Sequence, residues 1–310
     1  MEPYRLSGDY LEVLDQRFLP EREVWIKVED GFEGERVIKE MAIRGAPIIA
    51  VFAAYCLYIH SLRKPESIME AWKALKDSRP TGINLHKVLE EVKGIIESGG
   101  GPEDIYKFAK YVEKREREIN EKIARYGLLL FERKKRVLTY CNTGSLATVG
   151  LGTALGIIKL AHKNGLVEEV YVGETSPYFQ GSRLTAYELK LEGIPYKVVP
   201  DNHIPFLISR GMVDIAIVGA DRITKDFFVF NKIGTLSIAL ACRKFNVPFV
   251  VAAPSTTFDE NYFSEDIEVE RRKDVPREDY LYFAFDITPP DLVDFIVSDK
   301  GIKKLAWPGQ

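Results

Sequence analysis

The sequence predicts an α/β protein in two parts. A mainly helical N-terminal domain with a small strand region at its start covers residues 1–131, and a doubly wound, mostly parallel, Rossmann-like α/β domain covers residues 132–310. Three observations predict this. Between about residues 33 and 127, apolar residues recur at three- and four-residue spacing, and Pro47, Pro65 and Pro102 stand where helices would start. From Arg136 onward the texture changes to short, nearly continuous apolar runs separated by helical stretches, the pattern of parallel strands covered on both faces. Within the helical part, Ser98-Gly99-Gly100-Gly101 is the clearest break.

Taken in order, "REVWIKV" (22–28) reads as a strand of a small N-terminal hairpin. Helices follow at 33–45, 46–62, 65–77, 83–98 and 102–128. The stretch 46–62, "APIIAVFAAYCLYIHSL", approaches the length of a membrane span but carries Tyr55, Tyr58 and His60, so it reads as a buried core helix. Strands are expected at 136–141, 168–174, 196–200, 213–219 and 248–253, with helices between them at 145–165, 181–193, 204–211 and 233–246. Composition narrows the class. The chain has 310 residues and a formal charge of -3, with 43 basic and 46 acidic side chains, so no nucleic acid is expected as partner. Three cysteines without a CxxC pair suit a reducing, cytoplasmic setting. The acidic, polar N-terminus does not read as a signal peptide, and no membrane partner is expected.

In a doubly wound sheet, ligands sit beyond the carboxyl ends of the strands. Those ends carry Cys141-Asn142-Thr143-Gly144, Glu174-Thr175-Ser176-Pro177, Pro200-Asp201-Asn202, Gly219-Ala220-Asp221 and Pro254-Ser255-Thr256. Cys141 ends a strand just before an expected helix, whose positive end favours a thiolate; the plain alternative is a buried core cysteine. Cys56 and Cys242 lie mid-helix in apolar company and read as core. Asp221 reads either as a turn residue or as an acid whose pKa burial raises. Arg44-Gly45-Ala46-Pro47, at a helix start, and "NKIGT" (231–235), with Lys232, are places where an anion would meet helix-end N–H groups. Arg79, Gln180 and Arg183 also fall at element starts, and the set suggests an anionic, polyhydroxylated ligand between the two halves. The glycines of "GLGTALG" (150–156) follow their strand too late for a dinucleotide fingerprint and read as helix packing. The four histidines are scattered, and neither a Walker loop nor a GxSxG elbow occurs, so no metal and no cofactor is expected.

The ordered set "LDQRFLP", "MAIRGAPIIAVFAAY", "SRPTGINL", "LTYCNTGSLATVGLGTALG", "ETSPYFQGSRLTAYEL", "VGADRI", "NKIGTLSIALACRKFNVPFVVAAP" and "FDITPPDLV" spans nearly the whole chain. It closely resembles the family of methylthioribose-1-phosphate isomerases and the alpha, beta and delta regulatory subunits of eukaryotic initiation factor 2B. Joint presence of RGAP, CNTG, GAD and NKIGT favours the isomerase side. That resemblance implies an aldose–ketose isomerisation of a sugar 1-phosphate, in methionine salvage, by a cytoplasmic homodimer. It implies Cys141 and Asp221 as the catalytic pair, and Arg44, Gly45, Ala46, Arg79, Gln180, Asn231 and Lys232 as substrate-binding residues. Two departures stand out: Ser176 where the family has arginine, and "TKDFFVF" (224–230) where it has a small polar loop. They leave open a sister isomerase of ribose 1,5-bisphosphate or 5-deoxyribose 1-phosphate, and the wider family leaves open a non-catalytic regulatory subunit.

Overall fold

The computed structural model describes residues 2–79, 82–269, 271, 279 and 281–305. Pro80 and Thr81 of "SRPTGINL" lie outside these. Two compact units are formed, residues 1–118 with 145–150, and residues 119–144 with 151–310. The division thus falls at 118/119 within a helix rather than at 131/132, and six residues after the CNTG motif go with the first unit.

The first unit opens with an antiparallel sheet of three strands rather than a two-stranded hairpin: β1 (Tyr4–Ser7), β2 (Tyr10–Leu14) and β3 (Trp25–Val28), in that spatial order. Four helices follow, α1 (Gly31–Lys39), α2 (Ala46–Arg63), α3 (Ile68–Asp77) and α4 (Ile83–Glu97), and then α5 (Pro102–Leu128), whose residues from Ile119 onward go with the second unit. Asp30 caps α1, its side chain accepting from the N–H groups of Phe32 and Glu33. Helix α2 is long and apolar enough to cross a membrane by length and composition. Thirteen of its eighteen residues are buried, and the apolar ones among them form the centre of the first unit's core with Leu75, Leu89, Val92 and Val112.

The second unit is built on seven strands in the order β14-β13-β10-β7-β4-β5-β6. They are β4 (Lys135–Thr139), β5 (Val167–Gly173), β6 (Tyr196–Val199), β7 (Ile215–Val218), β10 (Phe249–Ala252), β13 (Phe295–Ser298) and β14 (Gly301–Lys304), and only β14 runs antiparallel to its neighbour. A second, four-stranded sheet joins β8 (Arg222–Thr224), β9 (Val229–Lys232), β11 (Phe258–Asp259) and β12 (Phe285–Thr288). Side chains alternate across the large sheet, so the strands feed two cores. Leu138, Ala216, Val218, Phe249 and Val251 share one with Ile204, Ile208, Ile238 and Cys242 from α8 (Ile204–Ser209) and α9 (Thr235–Lys244). Val137, Ile215, Ile217, Val250 and Ala252 share the other with Ile157, Ile158, Ala161 and Leu189 from α6 (Ala154–Lys163) and α7 (Ala186–Leu191). At roughly 1.5–3 kcal/mol per fully buried aliphatic side chain, these cores hold the strand ends in fixed register.

Candidate active site

Strand β4 is the first of the large sheet. The chain steps from it to β5 and β6 on one side, then crosses to lay down β7, β10 and β13 on the other. Winding therefore reverses between β4 and β7, where Leu138 lies opposite Ala216. Such a switch point opens a crevice beyond the strand ends. The residues just beyond these two strands are Tyr140-Cys141 and Gly219-Ala220-Asp221.

Cys141 has φ 59°, the left-handed region that costs a non-glycine residue about 1 kcal/mol or more. Both its peptide groups are tied down. Its N–H donates to Thr175 Oγ1 at 3.0 Å, and its carbonyl accepts from Thr185 Oγ1 at 2.6 Å. Thr175 is itself left-handed, and the N–H groups of Thr175 and Ser176 both donate to the Asp201 carboxylate. Cys141 keeps 8 % exposure, whereas Cys56 and Cys242 have none. Burial pushes both of those thiols up, Cys242 to about 12, which leaves them inert near neutral pH.

The helix expected directly after Cys141 is not there. Helix α6 begins only at Ala154, because Gly150 and Gly152 take φ 83° and 99° in the intervening turns. The CNTG motif meets that helix laterally instead. Thr143 Oγ1 accepts the N–H of Leu155, and the Thr143 carbonyl accepts that of Thr153. Of the glycines read as helix packing, Gly156 alone lies within α6. Gly152 is needed where it stands, since a Cβ there would lie 2.5 Å from the Thr143 carbonyl oxygen.

Asp221 is exposed, not buried as the acid reading expected, because it stands on the rim where β7 gives way to the β8–β9 hairpin. Its N–H donates to the Phe230 carbonyl, placing it beside the residue that precedes Asn231. Asn231 and Lys232 end β9 and do not open the helix; α9 starts at Thr235 behind Gly234. The Asn231 amide donates to Thr235 Oγ1 at 2.9 Å. This turn is fixed to the end of β4 by Tyr140, whose hydroxyl donates to the Ile233 carbonyl at 3.0 Å. Asp286 on β12 lies opposite Asn231 and accepts the N–H groups of Gly234 and Leu236 on one carboxylate oxygen. Burial pushes its carboxyl up to about 6, against these two bonds and the charge of Lys232.

Gln180 precedes a π-helical turn, Gly181–Thr185, that leads into α7. It is 8 % exposed, and its buried Oε1 has no hydrogen-bond partner, an acceptor suited to a ligand hydroxyl. Gly181 packs on the end of β5, since a Cβ there would overlap the Gly173 carbonyl oxygen. The second unit thus brings Cys141, Asp221, Gln180, Asn231 and Lys232 to the carboxyl edge of its sheets. The other four residues lie in the first unit: Arg44, Gly45 and Ala46 at the start of α2, and Arg79 after α3, reaching the Ile38 carbonyl at 3.5 Å. Of the phenylalanines of 224–230, Phe227 and Phe228 belong to the β8–β9 turn and Phe230 to β9. Phe230 is 5 % exposed, and Phe227 packs edge-on to Phe258 with Lys303 Nζ 3.8 Å from its ring centroid. The sequence assigns no role to Thr175, Thr185 or Asp286. Only Asp286 gave a signal, a carboxylate inside the apolar run "YFAFDIT".

The model of the Initiation factor 2 subunit family matches residues 42–304. The methylthioribose-1-phosphate isomerase of Sulfurihydrogenibium sp. is 42 % identical over 97 % of this chain and 93 % of its own length. Among solved structures, the 5-methylthioribose 1-phosphate isomerase of Pyrococcus horikoshii superposes with a TM-score of 0.90 at 31 % identity, covering 99 % of this chain and 92 % of that one. The delta subunit of translation initiation factor 2B from A. fulgidus gives 0.86 at 34 % identity, covering 100 % and 96 %. The chain belongs to the initiation factor 2 subunit family, the family of the methylthioribose-1-phosphate isomerases.

Proposed function

We propose that this chain is an aldose–ketose isomerase converting 5-methylthioribose 1-phosphate to 5-methylthioribulose 1-phosphate in methionine salvage, with Cys141 and Asp221 as the catalytic pair. The observation that carries the reading is the switch point. Its two adjacent strand ends present a thiol on a strained, hydrogen-bonded turn and a carboxyl group on the opposing rim.

A sugar phosphorylated on its anomeric oxygen has no free aldehyde, so the ring must open first. Asp221 gives a proton to the ring oxygen as the bond from that oxygen to C1 breaks. The carboxyl is exposed in the chain alone. A bound sugar covers it and brings a phosphate charge near, and both favour the protonated acid. Hydrogen then moves from C2 to C1 while the C2 hydroxyl loses its proton, which balances the proton given to the ring oxygen. Cys141 either takes the C2 proton as thiolate and returns it to C1, or flanks a direct hydride shift. Reaction in deuterium oxide separates these: in the first route the thiol proton can exchange with solvent before it reaches C1, so deuterium enters there, whereas a direct hydride shift admits none. Phosphate binding falls to Arg44, the Gly45–Ala46 peptide, Arg79 and Lys232, and Gln180 and Asn231 supply hydrogen bonds to hydroxyl groups.

The test is turnover of 5-methylthioribose 1-phosphate by the purified protein, beside ribose 1,5-bisphosphate and 5-deoxyribose 1-phosphate. Cys141→Ser and Asp221→Asn are each expected to cut turnover by on the order of 1,000-fold or more while the fold persists. Wild-type turnover in both variants sinks the reading. Binding of a translation factor without turnover of any of the three sugars would move the chain to the regulatory side of the family. Assembly is proposed as a cytoplasmic homodimer, supported by exposed Val198 on the edge strand β6 and exposed Phe206 on α8. Light scattering on the purified chain checks it.

A further inference from the structure

Behind Cys141 lies a buried polar chain that neither ring opening nor hydrogen transfer uses. Thr185 closes the π-helical turn, and its hydroxyl donates to the Cys141 carbonyl at 2.6 Å. The Asn142 amide donates to Thr185 Oγ1 at 3.2 Å and to Glu188 Oε1 at 2.9 Å, using both of its hydrogens. The other oxygen of Glu188 accepts from Lys159 Nζ on α6 at 2.9 Å. Exposure is 1 % for Thr185 and Glu188, 4 % for Asn142 and 7 % for Lys159. The Glu188 carboxylate also lies directly under Gly144, where any Cβ would sit within 2.5 Å of it.

An ion pair taken out of water is a poor way to hold two helices together, because an apolar pair of the same volume does so at no electrostatic cost. Here Glu188 also accepts from the Asn142 amide of the loop at 141–142, while Lys159, 3.6 Å from Glu192 as well, holds the Glu188 carboxylate in place. A π-helical turn inserts one extra residue in a helix, commonly at functional sites, and here its last residue, Thr185, carries the hydroxyl that reaches the Cys141 carbonyl. We infer that Thr185, backed by Asn142, Glu188 and Lys159, is the positioning residue that holds Cys141 in its left-handed conformation and so fixes the direction of its side chain at the end of β4. The inference rests on the isomerase reading for what Cys141 does, and on geometry alone for how it is held.

Three variants test it, with kcat, KM, melting temperature and the iodoacetamide alkylation rate of each cysteine read by peptide mass spectrometry. Thr185→Val keeps the shape and loses the hydroxyl. It is expected to lower kcat on the order of 100-fold with KM nearly unchanged, and to speed alkylation of Cys141 while Cys56 and Cys242 stay protected. Thr185→Ser restores both. The double variant Lys159→Met/Glu188→Leu removes both charges and leaves the buried Asn142 amide without its carboxylate acceptor; it is expected to stay folded, to melt below the wild-type temperature and to show the same kcat loss. Wild-type kcat and Cys141 alkylation in Thr185→Val and the double variant would overturn the inference, as would labelling of Cys56 and Cys242 in step with Cys141. If the wild-type protein turns over none of the sugars, the isomerase reading fails separately, and the alkylation rates still decide whether Thr185 holds the loop.

Discussion

Two helices in this chain open in nearly the same way and differ in what meets their first turn. Helix α2 is entered through Gly45 at φ 112° and α9 through Gly234 at φ 106°. At both, a side chain has no room: a Cβ on Gly45 would lie 2.1 Å from the Ala147 carbonyl oxygen, and one on Gly234 would lie 2.5 Å from the Tyr140 hydroxyl. The α9 start is already occupied by an internal anion, the Asp286 carboxylate on the N–H groups of Gly234 and Leu236. No side chain caps α2. Helix-end potential is spent once, so on the proposed reading a substrate phosphate is expected to find it at Gly45–Ala46 rather than at the NKIGT motif. There Lys232 supplies charge from a strand end, on a turn that Asp286 stiffens.

The largest expected effect is at Gly45. Gly45→Ala forces an alanine to positive φ and drives its Cβ onto backbone that cannot swing aside. A loss of about 2–5 kcal/mol in denaturant unfolding is expected, with substrate saturation lost as well. Unchanged stability and KM would remove α2 as the phosphate end of the comparison. Asp286 comes next, and its effect depends on pH. Its carboxyl is raised from 3.8 to about 6 in the folded chain, so the folded state holds a proton more tightly than the unfolded one. Stability from this group is full below about pH 4 and is lost as pH rises through about 6. A difference near 2.2 pK units corresponds to roughly 3 kcal/mol. Asp286→Asn is expected to flatten that part of the stability–pH curve. A variant curve parallel to wild type from pH 4 to pH 7 would contradict the burial of Asp286.

The same contrast shows what was legible in the sequence. Gly45-Ala46-Pro47 announces its helix start, because a glycine, a proline and an unbroken apolar run leave little choice. All five N-terminal helices and the five long apolar strands were readable on that basis. The strands at 4–14, 222–232, 258–259 and 285–304 were not, because they are not set in near-continuous apolar runs and lack a clear period. Helix α6 was placed nine residues too early because apolar spacing in "SLATVGLG" looks helical, while Gly150 and Gly152 take the chain through turns. At the site, Cys141 and Asp221 could be named from strand ends. Their burial could not, since whether a strand-end carboxylate is covered depends on the hairpin folded beside it. The roles of Thr175 and Thr185 were invisible because a threonine that bonds a distant peptide looks like any other threonine in sequence.

The smallest expected effect sharpens the comparison most. Lys232 lies in the field of the ionised Asp286, and on the proposed reading it also meets the phosphate of the substrate. Its ammonium also lies 5.0 Å from the centroid of the Phe285 ring. At pH 8 Asp286 is charged and draws on the field of Lys232, so Lys232→Met is expected to raise KM only about tenfold, the worth of one charge-assisted contact. Arg44→Met, at the uncapped helix, is expected to raise it more, because a guanidinium grips a phosphate through two parallel bonds. Asp286→Asn in the wild-type background frees Lys232 and is expected to lower KM slightly. In the Lys232→Met background the same change has nothing to free and leaves KM where it was. Equal effects of Asp286→Asn in both backgrounds would mean that Asp286 acts through the α9 turn alone. Lys232 would then be an independent phosphate contact, and the two helix starts would differ in rigidity rather than in charge.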